Sequence, residues 1–141
     1  MPAIIPDLPK PLRTVPTDRD QWELWAAAVT EYRLIVWDRC ERDAAFRADI
    51  RKLCAADKAY FLTIFGFIFE PRTRPGIPAG VKPFIPFAYQ VEIIRWHSAR
   101  MQDLEDPDGF LPKPRGLGVS WTICAGRATW PGRSWPTSGT R

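Results

Sequence analysis

The placement of proline constrains this chain more than any other feature. Fifteen of the 141 residues are proline, and none falls between residues 17 and 70. Proline fixes φ and has no N–H, so it stops helices and interrupts strand ladders. Pro2, Pro6, Pro9, Pro11 and Pro16 therefore predict an extended arm over residues 1–16. The stretch "PRTRPGIPAGVKPFIPF", residues 71–87, is a second such segment. Loops this long are uncommon inside compact domains unless they act or join two parts, so a linker is expected there.

Between these segments the texture is helical. Thr17 is a candidate N-cap, and Asp18 and Asp20 suit the positive end of a helix dipole. Trp22, Trp25, Val29, Tyr32 and Val36 then recur every three or four residues, which predicts one apolar face on a helix over 18–39. Glu23, Glu31, Arg33 and Arg39 are assigned to the other faces. A second helix is predicted over 43–54, with Phe46, Ile50 and Leu53 inward. A third begins near Asp57 and runs through the aromatic stretch to Phe69, ending at Glu70-Pro71 because the residue before proline avoids the α region. After the linker, "YQVEIIRWHSARMQDL" predicts a helix with Val91, Ile94, Ser98 and Met101 along one side. The fold class expected is mainly α.

Several function classes are disfavoured. "AYFLTIFGFIF", residues 59–69, is the most apolar run, and it is shorter than the roughly 20 residues that span a bilayer. "MPAIIPDLPKPLRTVPT" lacks the continuous apolar core of a signal peptide. Cys40, Cys54 and Cys124 have neither a metal-ligand spacing nor a disulfide pattern and read as reduced thiols of a cytoplasm. His97, the single histidine, has no nucleophile or metal set around it in sequence and reads as a helix-surface residue. "EDPDG" lacks the length and spacing of a calcium loop. The net charge of +4 is compatible with a phosphate-rich partner.

"LPKPRGLGVSWT", residues 111–122, carries chemistry of that kind. A phosphate loop needs inward N–H groups, glycines that let backbone approach the anion, a cation, and a hydroxyl for Mg²⁺. Gly118 and Ser120 match the closing glycine and the hydroxyl of G-x-x-x-x-G-K-[ST]. The opening glycine is missing, and Val119 stands where the lysine belongs. Lys113 or Arg115 would supply the cation from the front of the loop, with Gly116 between. Beyond it, the last 16 residues, "GRATWPGRSWPTSGTR", use only Gly, Arg, Ala, Thr, Trp, Pro and Ser. No helical or strand period fits them, and residues 126–141 are expected to be disordered. Their narrow alphabet resembles GC-rich DNA read in the wrong frame, so a frameshift near Ala125 or Gly126 is expected. A native basic-aromatic tail (Arg127, Trp130, Arg133, Trp135 and Arg141), able to touch nucleic acid by charge and stacking, is the alternative.

Three elements in order resemble the bacteriophage or prophage terminase large subunit, a DNA-packaging ATPase. They are Cys54-x-x-Asp57 with the aromatic helix ending Glu70-Pro71-Arg72, then Pro83-Phe84-x-x-Phe87-x-x-Gln90, then Lys113-x-Arg115-x-x-Gly118-x-Ser120-Trp121. The resemblance covers roughly residues 50–125. It implies that residues 17–70 are an N-terminal helical region and that residues 88–125 hold the first strand–loop–helix of a P-loop α/β ATPase domain. It implies ATP and Mg²⁺ as cofactors. Gln90 would read the adenine edge through its amide, with Phe87 and Tyr89 shaping the pocket. Lys113 and Arg115 would hold the β- and γ-phosphates; Gly116, Gly118 and Val119 would complete the loop, and Ser120 would ligate Mg²⁺. The implied partners are double-stranded viral DNA, the small terminase subunit and the portal protein, in a bacterial host cytoplasm.

The departures are Pro112 and Pro114 around the loop, and the lack after Ser120 of an apolar run ending in acids or of a nuclease carboxylate cluster. A truncated, monomeric subunit with no catalytic residues of its own, and with weak nucleotide binding at most, is therefore expected. The alternative is a non-catalytic helical module that docks a protein partner through residues 18–69.

Overall fold

The structure is a computed structural model and describes residues 2–73, 75–76 and 78–103. Among these it is mainly helical: α1 (Arg19–Arg42), α2 (Ala44–Ala56), α3 (Lys58–Phe65) and α4 (Ala88–Gln102), with β1 (Phe67–Glu70) and β2 (Gly80–Pro83) between α3 and α4.

An aspartate starts each of the first three helices. Asp18 accepts the Gln21 N–H at 3.1 Å, Asp43 accepts Phe46 N–H at 3.0 Å, and Asp57 accepts Ala59 N–H at 3.0 Å. A carboxylate there satisfies an orphan donor and meets the positive end of the helix dipole. The first cap is thus Asp18, not Thr17. Asp43 and Asp57 are each also the residue on which the preceding helix ends, so α1, α2 and α3 follow one another through single-residue corners.

Trp25, Val29 and Val36 of α1 are buried as their spacing predicts, against Ile50, Ala59, Tyr60, Leu62 and Ile64 of α2 and α3 and Val91 and Ile94 of α4. Arg33 corrects the reading. It lies four residues after Val29 and three before Val36, on the same face, and is 1% exposed.

Residues 2–16 do not form an extended arm. Ile5 N–H donates to Arg13 O at 2.7 Å, Val15 N–H donates to Ala3 O at 3.0 Å, and Ile4 pairs with Thr14 as an antiparallel bridge. A short 3₁₀ turn, Lys10–Leu12, lies between these pairings. The closed loop delivers Ala3, Ile5, Leu8 and Val15 into the core. The prolines rule out a helix here, but the intervening residues keep the N–H groups that close the loop.

The aromatic run does not stay helical to Phe69. It turns at Gly66 and continues as β1, antiparallel to β2 with Phe67 opposite Pro83 and Phe69 opposite Val81. Residues 71–87 accordingly contain a strand and do not separate two parts. Phe84 and Pro86 are buried, and one core runs across the segment to α4. No helix among the described residues is long and apolar enough to cross a membrane. The expected loop at 111–122 and the tail at 126–141 lie outside the described residues.

Candidate functional site: an aromatic cleft between two helix starts

Proline-rich backbone is poor in donors, so its carbonyls need partners from elsewhere. Two tryptophans of α1 provide them, and a third serves the end of α3. Trp22 Nε1–H donates to Pro86 O at 3.0 Å, Trp25 Nε1–H to Leu12 O at 2.9 Å, and Trp37 Nε1–H to Ile64 O at 3.0 Å. The first of these bonds brings the start of α1 against the chain that leads into α4.

Arg33 fixes the same chain from inside. Its guanidinium donates to Thr63 O at 2.6 Å, to Gly66 O at 2.9 Å and, over a longer 3.4 Å, to Phe84 O. The planar group also lies 5.1 Å from the ring centroids of both Trp37 and Phe67. Burial pushes its pKa down from 12.5 to about 10, which leaves it a cation at neutral pH. One side chain thereby ties the end of α3, the turn into β1 and the exit from β2.

The residues expected to recognise adenine converge beyond that exit. Phe87 is the N-cap of α4, and Tyr89 and Gln90 are in its first turn. Gln90 is buried, and its Oε1 accepts the Phe87 N–H at 3.0 Å. Phenylalanine has no side-chain acceptor, so the glutamine at the third helical position caps the helix by reaching back, which is half of a capping box. Phe87 and Tyr89 are partly exposed and nearly parallel, 7° apart with centroids 5.9 Å from each other. Burial raises the Tyr89 phenol above its ordinary pKa.

Sequence reasoning missed Trp22 as a member of this group. Its ring stacks on Phe87 at 4.4 Å and 26°. It is half-buried against the core, as the α1 spacing predicts, and from the first turn of that helix its ring also reaches the chain before α4. Trp22 and Phe87 line two hollows. One, of about 270 Å³, also meets Ile68, Phe84, Ile85 and Gln90. The other, of about 630 Å³, lies between the starts of α1 and α4 and is rimmed by Pro16, Arg19, Glu23 and Tyr89. Arg19 and Glu23 pair at 3.3 Å, so the rim is polar with its charges matched.

Lys113, Arg115, Gly116, Gly118, Val119 and Ser120 lie outside the described residues. Among the described residues no group of three or more His, Cys, Asp or Glu side chains is placed to hold a metal ion. His97 is half-buried on α4. No family model, curated protein or solved structure matches the chain.

Proposed function

We propose that this chain belongs with the large subunits of phage terminases and that its aromatic cleft is the adenine end of an ATP site. The observation that supports the reading is the grouping of Phe87, Tyr89 and Gln90 at the start of α4, where Phe87 and Gln90 line a hollow of about 270 Å³ and Phe87 and Tyr89 line a second of about 630 Å³. Pockets of about 300–1,000 Å³ with aromatic walls and a few fixed polar groups suit such ligands. Gln90 supplies an oriented amide for the base edge. Lys113 and Arg115 supply cations for the phosphates, and Ser120 the hydroxyl for Mg²⁺. In the family, ATP hydrolysis drives double-stranded DNA into a procapsid and a metal-dependent nuclease cuts the concatemer.

Equilibrium dialysis of the full chain with ATP and Mg²⁺ tests this. Saturable binding is expected, with Gln90→Ala and Arg115→Ala each weakening it about tenfold, equivalent to about 1.4 kcal/mol. ATP should also protect residues 85–122 from proteolysis. A wild-type chain that binds no ATP sinks the reading.

A second reading has its own observation. Leu24 and Ile35 are 75% and 64% exposed along the outer face of α1, and Phe69 and Val81, opposite one another on the hairpin, are 69% and 70% exposed. Such apolar faces suit a helical protein-interaction module. Absence of ATP binding, together with a protease-stable fragment near residues 17–70, would select it.

A further inference from the structure

We infer that the open edge of β1 is a docking strand for a second copy of this chain, the two β1 strands pairing antiparallel about Ile68 into one continuous sheet ordered β2–β1–β1–β2. The inference stands apart from the nucleotide reading and uses only the hairpin.

Strand register decides which backbone groups are free. Gly66 O accepts the Phe84 N–H at 2.9 Å, so Gly66 faces β2. Facing and outward residues alternate along an antiparallel strand. Ile68 and Glu70, opposite Lys82 and Gly80, therefore carry the ladder, and the N–H and C=O of Phe67 and Phe69 point out of the open edge. Pro83, opposite Phe67, has no N–H to give, which agrees with this register. The sheet has two strands, and among the described residues no backbone partner serves Phe67 or Phe69.

The two edges differ. Proteins blunt an open strand edge with proline or charge. The edge of β2 is blunted by Pro83. Along Phe67–Phe69 the edge of β1 has neither proline nor charge. Phe67 and Phe69 also lie on one face and are 44% and 69% exposed.

A second copy matches this edge in three respects at once. A two-fold axis at Ile68 sets Phe67 opposite Phe69 of the other copy, so each outward N–H meets an outward carbonyl. The same register makes the exposed phenyl rings cross-strand aromatic pairs. Glu70 falls opposite Gly66 of the other copy, so like charges do not face each other. A Phe side chain has about 200 Å² to bury, so the two rings offer roughly 200 Å² per copy, against about 800 Å² for a stable complex. The pairing is therefore reversible, with a Kd on the order of 100 μM. The monomer expected from the sequence is its dilute form.

Sedimentation of the full chain between about 10 μM and about 1 mM tests this, a range that brackets the expected Kd. The wild type should pass from one copy toward two. Phe69→Pro removes an outward N–H that the β1–β2 ladder does not use, and should weaken association at least tenfold with the far-UV spectrum unchanged. Phe69→Lys keeps the N–H but charges the edge; it should weaken association as much, and it decides the matter if the proline variant unfolds. Val81→Lys charges the same apolar face on β2 and should leave the Kd within twofold. Amide exchange at Phe67 and Phe69 should slow at least fivefold as concentration rises. A wild type that stays monomeric throughout overturns the inference. So does equal weakening by Val81→Lys, which would mean that the faces meet and not the edges. Phe67 and Phe69 amides already protected in the dilute chain would show the edge covered by another segment of the same molecule, and would overturn it too.

Discussion

At the scale of the residue, Arg33 decides most. Placing a guanidinium in a core is costly unless its donors are used, and here they serve backbone carbonyls at a helix end and beside a strand pair. Removing it leaves buried acceptors unpaired as well as a cavity. Arg33→Met should destabilise the fold by roughly 3–5 kcal/mol, read from urea unfolding. Arg33→Lys should recover only part, because a point ammonium cannot span the separated carbonyls as a planar fork does. A loss below about 1 kcal/mol in Arg33→Met would refute this role. The sequence held the clue: Arg33 sits between Val29 and Val36 on the buried face. Charge argued for solvent, helical geometry argued for the core, and geometry prevailed because acceptors were waiting there.

At the scale of the element, Gly66 converts an apolar helix into a strand. A Cβ at this position would collide with the Leu62 carbonyl oxygen, while Gly66 N–H bonds that same oxygen at 2.9 Å. Gly66 O in turn accepts the Phe84 N–H at 2.9 Å, which starts the strand pairing. Gly66→Ala must push backbone aside and should cost about 1–3 kcal/mol. Thermal unfolding should show the loss, and Phe87 should become more accessible to solvent because the β2 exit shifts. An unchanged melting temperature would contradict the close approach. Local pattern could not have ended α3 there. Periodicity does not separate a short buried helix from a strand in an aromatic run, and the partner strand is more than ten residues away.

At the scale of the whole molecule, burial couples titration to stability. Packing between α2 and its neighbours raises the Cys54 thiol from 9.0 to about 12, chiefly by desolvation. A folded-state pKa above the unfolded value gives stability that is complete below about pH 9 and is lost as pH rises toward 12. Tyr60 acts in the same direction, its phenol raised mainly by burial. Burial lowers Lys58, which acts oppositely. The clean measurement is therefore a difference: between pH 9 and 10.5 the unfolding free energy of Cys54→Ala should fall less steeply than that of the wild type, by up to ~1.4 kcal/mol per pH unit. Equal slopes would mean that Cys54 is not desolvated.

Four helices, their order and most of their buried faces were legible in the residue pattern, because helical periodicity and aspartate caps act over a few residues. It also marked Phe87, Tyr89 and Gln90 as a group. The fold alone shows that the proline-rich start closes into a core loop, which carbonyls Arg33 bonds, and that Trp22 bonds Pro86 from 64 residues away. Each of those depends on a donor and an acceptor, or two rings, far apart in the chain. Such pairings are set by how the helices pack, and residue spacing carries no record of them.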